Sequence, residues 1–259
     1  MGVVNVTPDS FSDGGRHLDA DRAVECAERM IADDVSIIDI GGESTRPGAA
    51  ATTAAAELDR VLPVIRRLSG RSVWLSVDTR KASVARAALG AGAHIVNDVG
   101  GGRDSELLDV VATFDAGLVL MHMRGEPQSM QHDPQYDDVV AEVGDYLHDQ
   151  VERACDAGVR REAILVDPGI GFGKTNAHNF ALLANVEAIA DRAGVPVLIG
   201  ASRKRSLGVI VGDDELARDD ATLAVSVAVF AQGAAAVRVH DVRSSVLAAR
   251  WIEKVEVAA

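Results

Sequence analysis

Asp78, Asn97, Asp167 and Lys204 each close or follow a short run of Val, Ile and Leu, and Met121 closes another such run. Two carboxylates, an amide and an ammonium around a methionine floor suit a flat heterocycle that carries both N–H donors and a carbonyl. Asn5, Asp13, Arg46, Arg238 and His240 occupy corresponding places after other apolar runs. Their oxygen ligands and cationic donors suit a polyanion such as pyrophosphate with Mg²⁺, which takes one or two protein carboxylates and shares the phosphate oxygens. The residue types therefore describe a pocket for a heterocycle beside a pocket for a phosphorylated leaving group. Taken singly, each has a plainer reading: Asp78 or Asp98 would serve as a helix N-cap, and Gly100-Gly101-Gly102 as a turn.

VDPGIGFGKT, Val166–Thr175, offers a rival chemistry, because Gly-Lys-Thr after an apolar run is the setting of a phosphate-binding loop. The first glycine of G-x-x-x-x-G-K-[ST] would fall at position 168. Pro168 stands there, without an N–H to give a phosphate. The P-loop reading fails, and Lys174 is expected to be a structural or solvent residue. Ser44 lies in Gly-Glu-Ser-Thr-Arg, outside the G-x-S-x-G pattern of an activated nucleophile. His17, His94, His122, His132, His148 and His178 show no metal-ligand spacing, and Trp74 and Trp251 read as packing residues.

Eight apolar runs must position these groups: 2–6, 35–40, 73–77, 94–96, 118–121, 163–166, 195–199 and 235–239. They lack polar alternation, as expected of parallel strands buried on both faces. Amphipathic segments separate them. Ala23, Val24, Ala27, Met30 and Ile31 share one face of a helix over 19–33. Val139, Val140, Val143, Leu147, Val151 and Ala154 do so over 137–157. Eight β-then-α units in 259 residues predict an α/β fold of the (β/α)₈, or TIM-barrel, kind, as a single domain over 1–259. An open doubly wound sheet would favour G-x-G-x-x-G after the first strand, which is not there. The chain begins inside its first apparent strand, which leaves room for a short leading segment before Met1.

Composition narrows the rest. A net charge of -13 argues against general nucleic-acid binding. No apolar run reaches 18 residues, so no membrane span is expected, and no basic segment suggests a signal peptide. Cys26 and Cys155 read as structural thiols of a reducing cytoplasm. Only four of the 26 basic residues are lysines, a matter of solubility and habitat, not chemistry.

Eight stretches carry a family resemblance: NVTPDSFSDGG (5–15), DIGGESTRPGA (39–49), SVDT (76–79), AHIVNDV (93–99), LMHMRGEPQSMQ (120–131), VDPGIGFGK (166–174), GASRKR (200–205) and VRVHDV (237–242). In this order and over essentially the whole chain they resemble dihydropteroate synthase. The resemblance implies a (β/α)₈ barrel, usually a homodimer, in folate biosynthesis and a sulfonamide target. Such an enzyme joins p-aminobenzoate to 6-hydroxymethyl-7,8-dihydropterin diphosphate and releases pyrophosphate. Position by position, it implies a pterin pocket from Asp78, Asn97, Asp167 and Lys204, lined by Met121 and Gly200. Arg238 would stack on the pterin and face the anion. Asn5, Arg238 and His240 would hold the diphosphate, and Asn5 with Asp13 would seat Mg²⁺. Phe11, Pro47 and Phe172 would frame p-aminobenzoate, with Thr45 and Arg46 in a second mobile loop. Asp13, Lys204, Arg238 and His240 would be the catalytic set.

Two positions depart from the pattern: Ser206 stands where Phe or Met is more usual, and Gly100 where Ser is common. Ser206 is expected to alter the KM for p-aminobenzoate. A pterin-binding paralogue without synthase activity is disfavoured by the intact anion set. A methyltetrahydrofolate-binding methyltransferase domain would lack the TPDSFSDGG and STRPG loops that are present.

Overall fold

A computed structural model describes residues 1–7, 16–44, 52–125, 130–212 and 214–258. Phe11, Asp13, Thr45, Arg46 and Pro47 lie outside the described residues. Strands and helices alternate as β1 (Gly2–Asn5), α1 (Arg16–Ala32), β2 (Ile37–Gly41), α2 (Ala54–Leu68), β3 (Trp74–Asp78), α3 (Ala82–Gly90), β4 (Ile95–Asp98), α4 (Ser105–Thr113), β5 (Gly117–Met121), α5 (Val139–Asp156) and β6 (Ile164–Asp167). Two helices, α6 (Asn176–Leu183) and α7 (Val186–Ala193), precede β7 (Leu198–Ile199). Another two, α8 (Arg205–Val211) and α9 (Glu215–Phe230), precede β8 (Ala236–Val237), and α10 (Val242–Ala258) follows.

β1 to β6 form a continuous parallel sheet, and β7 pairs with β8. Single bridges, Val166↔Val197 and Gly2↔Val239, join the two parts and close the eight strands into a barrel. The seventh and eighth strands are shorter than the apolar runs predicted. Pro196 supplies a carbonyl to the Val166 N–H but has no N–H of its own to continue a ladder. The (β/α)₈ expectation holds, with one extra helix in each of the sixth and seventh connections. Thr175 caps α6 in a reciprocal box with His178, and left-handed Gly194 ends α7.

Each strand divides by parity. Val4, Ile38, Ile40, Leu75, Val77, Val96, Leu118, Leu120, Ile164, Val166, Val197, Ile199, Val237 and Val239 pack in one core with the helices. The alternate, inward positions carry Asn5, Asp39, Gly41, Ser76, Asp78, Asn97, Met121, Asp167, Gly200 and Arg238. The runs thus alternate after all near their C-terminal ends, where barrel enzymes place their sites. Among the described residues, no helix is long and apolar enough to cross a membrane.

Candidate active site

Pairing register sets the inward residues side by side: Asn5 opposite Gly41, Gly41 opposite Asp78, and Asp78 opposite Asn97. One row below, Asp39 lies opposite Ser76. Asp39 is fully buried, which a carboxylate tolerates only with partners. It accepts from Ser76 Oγ at 2.6 Å, Asn97 Nδ2 at 3.0 Å and Arg238 Nε at 2.6 Å. Arg238 also donates through Nη2 to Asp78 Oδ2 at 2.8 Å. One guanidinium therefore ties two carboxylates to the barrel floor and is held charged by them. Burial pushes Asp78 up to about 7, with Arg238 opposing and the Asp39, Glu57 and Asp98 charges assisting.

Asp39 was absent from the residues singled out by sequence. Its signal was available: a lone carboxylate inside Ile37-Ile38-Asp39-Ile40 has to be buried and therefore paired. Asp78 caps no helix; α3 starts after Lys81, which makes no side-chain cap. Asp98 instead accepts from the Gly100 and Gly102 N–H groups, each at 2.7 Å, and burial pushes it up to about 6. A side chain at 100 would place its Cβ 2.8 Å from Asp98 Oδ1.

The opposite wall comes from β6, β7 and their loops. Asp167 Oδ1 accepts from Gly169 N at 2.7 Å. Lys204 Nζ donates to the Ile170 carbonyl at 2.5 Å and lies 4.5 Å from the centroid of the Phe172 ring. Burial lowers the Lys204 ammonium to about 8, while Asp167 and Asp78 pull it back up. Phe172 packs on a small cluster of Val99, Met121, Met123 and Met130, separate from the main core. A Cβ at Gly200 would sit 3.1 Å from Asp167 Oδ2, so glycine leaves the space between Asp167, Lys204 and Arg238 open. Asp78, Asn97, Asp167, Met121, Phe172, Gly200, Lys204 and Arg238 thus converge on one end of the barrel.

Ser202 ties β7 to β8, its Oγ lying 3.0 Å from His240 Nδ1 and accepting from the His240 N–H at 3.2 Å. His240 is therefore seated at the rim beside the Lys204 loop. Between them Arg203 adopts a left-handed φ of 57° and forks onto Asp219 with two bonds of 2.7 Å. The stem of the loop after β2 is also fixed. Lys81 Nζ bonds Glu43 Oε2 at 2.7 Å and also Glu57, while Glu43 Oε1 accepts from Thr52 N at 2.8 Å.

Lys174 is buried, with Nζ 2.8 Å from His122 Nδ1 and donating to the carbonyls of Phe172 at 3.0 Å and Gly169 at 3.1 Å. The structural half of its expectation holds, and the solvent half does not. Both cysteines carry free thiols, as expected. Among the described residues, no group of three or more His, Cys, Asp or Glu could hold a metal ion.

Polar side chains gathered at the strand ends of a (β/α)₈ barrel are where enzymes of this fold place their active sites, and the family model for pterin binding enzymes matches residues 1–240. The dihydropteroate synthase of Escherichia coli K12 is 45% identical over 254 residues, 98% of this chain and 90% of the relative. That of Mycobacterium leprae is 48% identical over 255 residues, 95% and 89% respectively. The Xanthomonas albilineans dihydropteroate synthase solved with 4-aminobenzoic acid superposes with a TM-score of 0.92 at 45% identity, covering 99% of this chain and 92% of that one. The chain belongs to the dihydropteroate synthases, transferases within the pterin-binding family.

Proposed function

We propose that the barrel, as one domain over 1–259, condenses p-aminobenzoate with 6-hydroxymethyl-7,8-dihydropterin diphosphate. The observation that carries this reading is the hydrogen-bonded floor of Asp39, Asp78, Asn97 and Arg238 facing Asp167 and Lys204. Asp78, Asn97 and Asp167 would read the donors and acceptors of the pterin edge, and Lys204 its carbonyl. Arg238, its plane fixed by two carboxylates, would stack on the ring and face the diphosphate with Asn5 and His240. Phe172, with Phe11 and Pro47, would wall p-aminobenzoate, and Thr45 and Arg46 would close on it.

The pterin methylene C–O bond breaks and its electron pair leaves with pyrophosphate. The neutral aniline nitrogen attacks the resulting cation, forms the C–N bond and loses a proton. This is catalysis by positioning and charge stabilisation, with no covalent enzyme intermediate. The donor chemistry fits Mg²⁺: Asn5 offers an amide oxygen at the mouth, beside the space that Gly41 leaves open, and Asp13 would add a carboxylate. Bound there, Mg²⁺ would neutralise charge on the diphosphate. The enzyme is assigned to the cytoplasm, without nucleic-acid or membrane partners.

A homodimer is proposed through α8 and α10, which flank α9 and expose Val209, Ile210, Leu247, Trp251 and Val255. Leu247, Trp251 and Val255 recur every four residues, one stripe of a helix. Trp251→Glu should yield a monomer by sedimentation; a dimer that persists would place the interface elsewhere.

The reaction is tested by pyrophosphate release with dihydropterin diphosphate and Mg²⁺, with and without p-aminobenzoate. Release that needs both substrates, and is lost in Lys204→Ala, is expected. Tight pterin binding without turnover would favour a silent paralogue.

A further inference from the structure

In the loop after β6, side chains cap five consecutive carbonyls. Gly169 and Phe172 accept from Lys174 at 3.1 and 3.0 Å, Ile170 from Lys204 at 2.5 Å, Gly171 from Gln131 Nε2 at 2.5 Å, and Gly173 from the Tyr136 hydroxyl at 3.0 Å. The loop also presses against 122–124. Left-handed Gly169 and Gly173 could not take a Cβ, which would lie 1.9 Å from the His122 carbonyl and 2.3 Å from that of Arg124. Lys174 holds two of the five carbonyls. It also bonds His122, at Nδ1 and at the carbonyl, and that ring makes an edge-to-face contact with Tyr146, ring centroids 4.9 Å apart.

We infer that Lys174 is a positioning residue for the second substrate: it fixes the Gly169 and Phe172 carbonyls and so sets the Phe172 ring against Lys204. Four acceptors meet at one nitrogen, two carbonyls of this loop and, across from it, the Nδ1 and carbonyl of His122. Among the described residues Nζ touches no carboxylate. Burial holds the His122 imidazole neutral, which suits Nδ1 as an acceptor. The inference rests on Phe172 walling p-aminobenzoate.

Lys174→Met preserves length and removes the donors. It should raise the KM for p-aminobenzoate about tenfold, while the Kd for dihydropterin diphosphate, by calorimetry, stays within about threefold. An unchanged KM, or equal losses for both ligands, would overturn the inference. If Lys174→Met does not fold, His122→Phe decides. It removes one acceptor and should shift the same KM in the same direction by a smaller factor; a wild-type KM there overturns the inference. Phe172→Ala separates the two readings. If it leaves the KM unchanged, the p-aminobenzoate wall itself is wrong. If it raises the KM and Lys174→Met does not, only the positioning role fails.

Discussion

The two sides of the pocket are built from different parts of the polypeptide. The floor assigned to the pterin consists of side chains on or just past strands: Asp39, Ser76, Asp78 and Asn97 are set by register, Arg238 follows β8, and all are joined in one bonded network. The wall assigned to p-aminobenzoate consists of a loop whose backbone carbonyls are held by lysines, a glutamine and a tyrosine. The floor stores its precision in a buried charge network, so damage there should cost stability as well as binding. The wall stores it in backbone shape, so damage there should cost recognition more than stability.

The largest expected effect breaks the floor. Arg238→Met leaves Asp39 and Asp78 buried without their shared cation, and unfolding in urea should show a loss of about 3–5 kcal/mol. A loss under about 1 kcal/mol would mean the floor is no more integrated than the wall. Next, Asp78→Asn keeps the shape but not the charge, and should weaken dihydropterin diphosphate by about 100-fold in Kd, within the range for a buried charged partner. By contrast, Phe172→Ala should raise the KM for p-aminobenzoate about tenfold with the pterin Kd unchanged.

A milder test uses pH. Burial pushes Asp78 up to about 7, and only its ionised form accepts at both oxygens without carrying a proton; burial lowers Lys204 to about 8, and only its protonated form is a cation. The kcat/KM for the pterin substrate should therefore rise as pH climbs through about 7 and fall above about 8. Lys204→Arg should remove the alkaline fall from whatever activity remains. The smallest effect concerns Ser206, buried in α8 with an Oγ that has no hydrogen-bond partner among the described residues. Ser206→Ala should stabilise the protein by about 1 kcal/mol, read as a higher Tm; a lower Tm would show a partner for that hydroxyl.

The Gly-Phe-Gly-Lys-Thr stretch shows how a motif and its chemistry separate. A phosphate-binding loop turns N–H groups inward, whereas this loop gives its carbonyls to ammonium, amide and phenol donors. Pro168 was enough to reject the nucleotide reading from sequence. It could not say that Lys174 points inward, because partners at His122 and Phe172 come from separate segments.

By itself, the sequence determined the (β/α)₈ repeat, because eight apolar runs spaced by amphipathic helices leave few other ways to bury both faces of parallel strands. It also determined the polar residues at the strand ends, since each is local to its own run. What only the tertiary structure decided is which of these groups spend their charge on one another. Asp39 and Arg238 are 199 positions apart and meet because β8 closes onto β1 through Gly2↔Val239. Barrel closure and pairing register are non-local, and a one-residue slip would turn Asp39, Asp78 and Asn97 toward the helices.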